Sequence, residues 1–134
     1  MKQIILILTL IFLTSSCSND DKKLDTSNIV GTWKHYEEYD NFKWNKVKDS
    51  YTYTFNANGT FKSTRFTECI KGKYSVVSDK LTLDYDCDEF TTQVESPAGT
   101  FIENYKLEKG YIYLSPTYKS CFEGCGSKFK KISD

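Results

Sequence analysis

From Asn28 to the C-terminus, apolar and polar residues alternate in short runs divided by turn-forming residues, and no stretch holds apolar residues at helical spacing for three turns. Alternation with period two puts successive side chains on opposite faces of an extended chain. The pattern therefore specifies strands with one dry face and one wet one. Aromatic residues make up 16% of the chain, chiefly Tyr and Phe, and flat rings pack well on a pleated surface. The first strand is read over Gly31–Tyr39. A polar loop holding Trp44 leads to Ser50–Phe55, where Tyr51, Tyr53 and Phe55 share a face. Asn56-Ala57-Asn58-Gly59 supplies residues that accept positive φ, so Thr60–Cys69 is expected to run back as a hairpin partner. Gly72–Val77 and Leu81–Cys87 flank a Ser78-Asp79-Lys80 turn, and Phe101–Leu107 and Tyr111–Leu114 flank Glu108-Lys109-Gly110. Ser127–Ile132 is the last strand. Between them, 91–100 is broken by Ser96-Pro97-Ala98-Gly99 and reads as a loop or a short edge strand. The expectation is an all-β domain of about eight antiparallel strands, an up-and-down barrel or a meander sandwich. Closure into a barrel has the advantage of removing exposed edges.

The N-terminus carries a different message. Lys2 precedes an apolar run from Ile4 to Leu13, then small residues and Cys17, which is the layout of an export signal. The run is too short to remain as a span of a bilayer core roughly 30 Å thick. Leu13-Thr14-Ser15-Ser16-Cys17 resembles the lipobox of bacterial lipoproteins, with the Leu one place early and Thr14 in its slot. The resemblance implies removal of residues 1–16, lipidation (palmitate) of Cys17 and anchoring to a membrane. Residues 17–27 are polar and charged, unable to bury themselves, and read as a flexible tether. Cys17 followed closely by Asp20-Asp21 resembles the signal that takes some Gram-negative lipoproteins to the outer face of the outer membrane. Outer-membrane, cell-surface display is thus the expectation, with a periplasm-facing orientation as the alternative. Residues 28–134 form the domain.

Export also sets the redox state. Of five cysteines, lipidation takes Cys17, leaving Cys69, Cys87, Cys121 and Cys125 in an oxidising compartment. Four thiols allow three pairings; we favour Cys69 with Cys87 and Cys121 with Cys125, the latter closing a Cys-Phe-Glu-Gly-Cys loop. A zinc site would need reduced thiolates and a tighter two-plus-two spacing. No metal and no cofactor is expected.

Gly31-Thr32-Trp33 at the head of the first strand resembles the Gly-x-Trp signature of lipocalins, whose Trp plugs the closed end of the barrel. Phe55-Asn56-Ala57-Asn58-Gly59-Thr60-Phe61, Gly72-Lys73-Tyr74 and Leu81-Thr82-Leu83 extend the likeness to the lipocalin-like domains of exported bacterial lipoproteins. The resemblance implies a barrel that takes a small apolar or amphipathic ligand. Where many lipocalins place an Arg over that Trp, the last strand here carries Lys128, Lys130 and Lys131. The domain is also short for a ligand-carrying lipocalin, which implies a smaller interior.

Alternation from Trp33 assigns His35, Glu37 and Tyr39 to the inner face, so the sole histidine and a carboxylate are expected to be neighbours. Arg65 and Glu103, if both inward, would meet as an ion pair or clasp a ligand carboxylate; a strand slip would send either to solvent. With Tyr53, Tyr74 and Tyr105 these complete the candidate ligand-binding set: Trp33, His35, Glu37, Tyr53, Arg65, Tyr74, Glu103 and Tyr105. Motifs of hydrolases, phosphate loops and zinc proteases do not occur in the sequence. The acidic run Asp84, Asp86, Asp88, Glu89 lacks EF-hand spacing. Basic and acidic residues balance at 18 each, so no basic field holds nucleic acid. The expected function is non-enzymatic binding of a small amphipathic molecule. The alternatives are a protein-binding module using Trp44 and the Cys121–Cys125 loop, and an enzyme built on His35 and Glu37.

Overall fold

A computed structural model describes residues 28–134; the expected signal (1–16) and the expected tether with Cys17 (17–27) lie outside the described residues. Nine strands follow in order: β1 (Gly31–Asp40), β2 (Lys43–Lys46), β3 (Thr52–Phe55), β4 (Thr60–Ser63), β5 (Lys71–Val77), β6 (Lys80–Tyr85), β7 (Thr100–Glu108), β8 (Tyr111–Pro116) and β9 (Gly126–Ser133). Every neighbouring pair is antiparallel, and β1 pairs with β9 to close an eight-strand barrel. The ninth strand, β2, is an extension. It pairs with the far half of β1 (Glu37–Asp40), while the near half (Gly31–Lys34) pairs with β3.

Two sequence expectations change. The Trp44 segment is a strand rather than a loop, because Asn41 and Phe42 both adopt positive φ (50° and 61°) and make a tight hairpin turn. The strand expected over 60–69 ends at Ser63. There the Ser63 hydroxyl accepts the Arg65 N–H at 3.0 Å, a local bond that competes with the ladder and bends the chain inward.

The core is a packed set of inward rings and aliphatics, with Trp33, Tyr53, Phe55, Phe61, Leu81, Leu83, Phe101, Ile112 and Phe129 all buried. Trp33 plugs one end. It is fully buried, donates its indole N–H to the Ile29 carbonyl at 2.7 Å, and has the Lys131 ammonium 5.6 Å from its ring. Lys131 is itself buried and bridged to Asp134 at 2.9 Å, so a lysine covers the plug as the arginine of many lipocalins does. Gly31 is needed beside it: at φ 123° a Cβ there would lie 2.5 Å from the Ser133 carbonyl oxygen. Gly72 has a similar role in mid-sheet, where a Cβ would stand 2.1 Å from the Asp84 oxygen.

Two disulfides join Cys69 to Cys87 and Cys121 to Cys125, the pairing favoured from sequence. The first closes a span of 18 residues and ties the bend after β4 to the end of β6. The segment between β6 and β7 forms no strand, and a buried carboxylate organises it. Glu95 accepts the backbone N–H groups of Thr92 (2.8 Å), Gly99 (3.0 Å) and Val94 (3.2 Å), and also the Thr92 hydroxyl. Burial works to raise its pKa, but the bonds from Thr92, Gly99 and Thr91 outweigh that and hold the carboxyl well below the ordinary 4.5. A group depressed on folding stabilises above its unfolded pKa, and that contribution drains away as pH falls below about 4.5. Glu95→Gln is expected to cost about 2 kcal/mol at neutral pH. The gap from wild type should narrow in urea melts run below pH 4.5, and a gap independent of pH would refute the assignment.

Candidate functional site

At the end of the barrel away from Trp33, the interior widens into a cavity of about 720 Å³. The late half of β1, the β1–β2 hairpin, the start of β3, the bend after β4, and the approach to β9 surround it. Its deep wall is a polar cluster set among rings. Arg65, brought in by the bend after Ser63, donates to the Tyr53 hydroxyl at 3.3 Å and the Tyr118 hydroxyl at 3.5 Å. Tyr118 donates in turn to Glu103 at 2.7 Å, and the Arg65 guanidinium stands 3.9 Å from the same oxygen. The guanidinium also lies over the rings of Phe66 (4.9 Å), Phe101 (5.3 Å) and Tyr51 (5.7 Å). Burial pushes the Glu103 carboxyl up, opposed by the Tyr118 hydroxyl and the Arg65 charge.

His35 forms another wall. Its imidazole is wedged between Tyr51 (4.7 Å) and Phe129 (5.1 Å) and is 6% exposed. Neither ring nitrogen has a side-chain hydrogen-bond partner among the described residues, and both are shut off from water. Burial pulls its pKa below 6.5, against the upward pull of Glu38 and of a hydrogen bond with the Glu37 backbone, and with a further lowering by Arg65. The shift favours the uncharged imidazole.

Four of the eight residues expected to line a pocket do so: His35, Tyr53, Arg65 and Glu103. The others are elsewhere. Trp33 is the opposite plug. Tyr74 donates to the Asn56 carbonyl at 2.9 Å and packs on Phe55 toward the closed end. Tyr105 borders a separate shallow groove with Trp44, Tyr39 and Tyr113.

Glu37 is the most instructive correction. β1 and β9 change register between His35 and Glu37, leaving Tyr36 as an extra residue, and a bulge of one residue reverses which face the following side chains take. Glu37 therefore binds Lys128 at 2.9 Å and Lys46 at 3.2 Å, and it is Glu38 that borders the cavity. Lys128 draws the Glu37 carboxyl below its usual range, with Lys46 adding to the effect. The His35–Glu37 pair on which the enzyme alternative is built does not form.

Among the cavity residues outside the sequence-derived ligand-binding set are Tyr51 and Tyr118. Tyr51 was legible, since it shares a face with Tyr53. Tyr118 was not, because it lies after β8 in an irregular segment without periodicity.

A closed antiparallel barrel, plugged at one end and hollow at the other, defines a calyx-type β-barrel. The chain belongs to the lipocalin-like domain family, whose model matches residues 29–107. Among solved structures, an uncharacterized protein from Bacteroides eggerthii is similar, with 18% identity and a TM-score of 0.45 over 78% of this chain and 100% of that one. No curated protein matches the chain significantly.

Proposed function

We propose that this is an exported, membrane-anchored binding protein whose barrel takes a small amphipathic molecule into the open-end cavity. The observation that carries the reading is the Arg65–Tyr53–Tyr118–Glu103 cluster at the bottom of a cavity whose volume falls in the usual range for small-molecule sites, about 300–1,000 Å³. The rings of Tyr51, Tyr53 and Tyr118 with Leu114 favour the apolar part of a ligand, and the many polar groups of the lining orient its head. Binding rather than catalysis is supported by the arrangement around the sole histidine, whose ring nitrogens hydrogen-bond no carboxylate among the described residues. Anchoring rests on the sequence: residues 1–16 as signal, Cys17 as the lipidated residue, 17–27 as tether, and residues 28–134 as the binding domain at the outer-membrane surface. Protease treatment of intact cells should release this domain. Resistance until the outer membrane is opened would place it on the periplasmic side.

The neutral fluorophore N-phenyl-1-naphthylamine tests the cavity. Fluorescence should rise saturably with one site per chain, and the thermal midpoint should rise with probe concentration. Ser127→Phe, which puts a ring into the mouth, should abolish both effects while the domain stays folded. Unchanged binding in that variant would reject the site.

A second reading, a protein-contact face, is favoured by one observation. Phe42 at the β1–β2 tip and Phe122 in the Cys121–Cys125 loop are both exposed, Phe122 completely. If Phe42→Ser with Phe122→Ser leaves the fluorophore site intact but abolishes the protein's activity in cells, this reading takes precedence.

A further inference from the structure

We infer that the cavity takes an organic oxyanion, a carboxylate- or sulfate-type head on an apolar body, which docks on Arg65 in competition with Glu103. This rests on the cavity reading above and adds the chemistry of the head group.

The inner ion pair is unequal. A guanidinium carries five N–H donors in a planar fork. Arg65 commits two of them to phenol oxygens, at 3.3 and 3.5 Å, both long for a charged donor. Its nearest carboxylate oxygen, on Glu103, is 3.9 Å away, beyond hydrogen-bond distance. The remaining N–H groups have no acceptor among the described residues. Glu103, by contrast, accepts a bond of 2.7 Å from Tyr118. Exposure is unequal too: both residues line the cavity, but the Arg65 side chain is 25% exposed and that of Glu103 only 6%. What the cavity presents to a ligand is therefore a donor-rich cation rather than a carboxylate. The cation is also ordered in advance, since it rests against the Phe66, Phe101 and Tyr51 rings.

Two anions on one guanidinium would repel, and Glu103 is too buried to retreat into water. A proton resolves the conflict. When the ligand anion enters and one proton from solvent adds to a Glu103 oxygen, the ligand replaces Glu103 as the partner of Arg65, and the net charge of the cluster is unchanged. Burial already favours that proton, against the opposing pull of Tyr118, Arg65 and Lys119. The charged and titratable groups around Glu103 are Arg65 in the bend after β4, Tyr51 and Tyr53 at the head of β3, and Tyr118 and Lys119 after β8. Its ladder neighbours Leu81 and Pro116 are uncharged, and His35 on β1 is coupled to Arg65. An ionised Glu103 competes with the ligand and a protonated one does not, so anion affinity should rise as pH falls.

Two dyes on one frame test this. 8-Anilinonaphthalene-1-sulfonate is N-phenyl-1-naphthylamine with a sulfonate added, and the sulfonate stays ionised from pH 5 to pH 8, so the pair isolates the head group. Each is titrated by calorimetry into the full chain, with the rise in thermal midpoint showing that the folded state is the binder. Sulfonate affinity should increase at least fivefold from pH 8 to pH 5, while that of the neutral probe changes less than twofold. Glu103→Gln keeps an oxygen for the Tyr118 hydroxyl and removes the competing charge. At pH 8 it should bind the sulfonate at least tenfold more tightly than wild type, with no pH dependence. Arg65→Leu with Glu103→Leu leaves neither charge unpaired; it should lose at least tenfold in sulfonate affinity at pH 5 and still bind the neutral probe. Sulfonate affinity that ignores pH, or that does not gain in Glu103→Gln, would overturn the inference. So would a pH dependence surviving in the double variant, which would belong to His35, or sulfonate binding that persists in Ser127→Phe, which would be dye on the surface. Each of these outcomes leaves the cavity reading in place, because that reading rests on the neutral probe; failure of wild type to bind the neutral probe would remove both.

Discussion

Trp33→Ala is expected to destabilise the domain by about 4 kcal/mol, the cost typical of removing a buried large aromatic. For a domain of this size that is a drop in thermal midpoint of roughly 15–30 °C. It is a large share of a total stability that for most domains lies at about 5–15 kcal/mol. The site has little means of collapsing. The indole closes the barrel end, its N–H is bonded to the Ile29 carbonyl at 2.7 Å, and the β1–β9 seam beside it is held by Gly31 against the Ser133 carbonyl. Trp33→Phe should recover most of the loss. It retains an apolar ring but leaves the Ile29 oxygen without its donor, a deficit of about 1–2 kcal/mol. Urea titrations read both: the midpoint should fall while the slope stays that of the parent. A Trp33→Ala variant within 1 kcal/mol of wild type would mean that the plug is not where the seam draws its stability.

Breaking the inner ion pair from one side should be nearly as damaging. Glu103→Leu leaves the Arg65 guanidinium in a mostly apolar wall with only two long bonds to phenol oxygens, at 3.3 and 3.5 Å. The expected cost is about 3 kcal/mol, the lower end of the range for orphaning a buried charge. The lower end applies because the Arg65 side chain is 25% exposed and has partial access to water, whereas that of Glu103 is 6% exposed. Removing both charges together, Arg65→Leu with Glu103→Leu, should cost less than Glu103→Leu alone, since no unpaired charge remains. Chemical denaturation of the two single variants and the double variant completes the cycle. Strict additivity would show that the two groups are independent and that the 3.9 Å separation carries no coupling.

These variants also separate stability from recognition. The double variant should fold and still bind N-phenyl-1-naphthylamine, because the Tyr51, Tyr53 and Tyr118 rings of the cavity are unchanged. Glu95→Gln should weaken the fold with no effect on the probe, since Glu95 organises a loop outside the cavity.

Much of this architecture is local information. Alternation sets each strand's dry face, Asn56–Gly59 and Glu108–Gly110 set two hairpins, and the positions of Cys69, Cys87, Cys121 and Cys125 in a chain read as exported point to two bridges. Trp33, followed by alternation, correctly turned His35 inward. These features depend on neighbours a few residues apart, and the period of an extended chain transmits them directly.

The site depended on something else. One extra residue at Tyr36 exchanged Glu37 for Glu38 at the cavity, because a bulge is decided by how β1 meets β9, some ninety residues away, and alternation has no memory of it. The Ser63 bend that delivers Arg65, and the irregular segment that delivers Tyr118 to Glu103, likewise carry no periodic signal. The sequence by itself determined the class of fold and which residues were apolar enough to fill it. Only closure of the sheet decided which polar groups face one another, because that depends on register between strands distant in the chain, and register is a property of the assembled barrel.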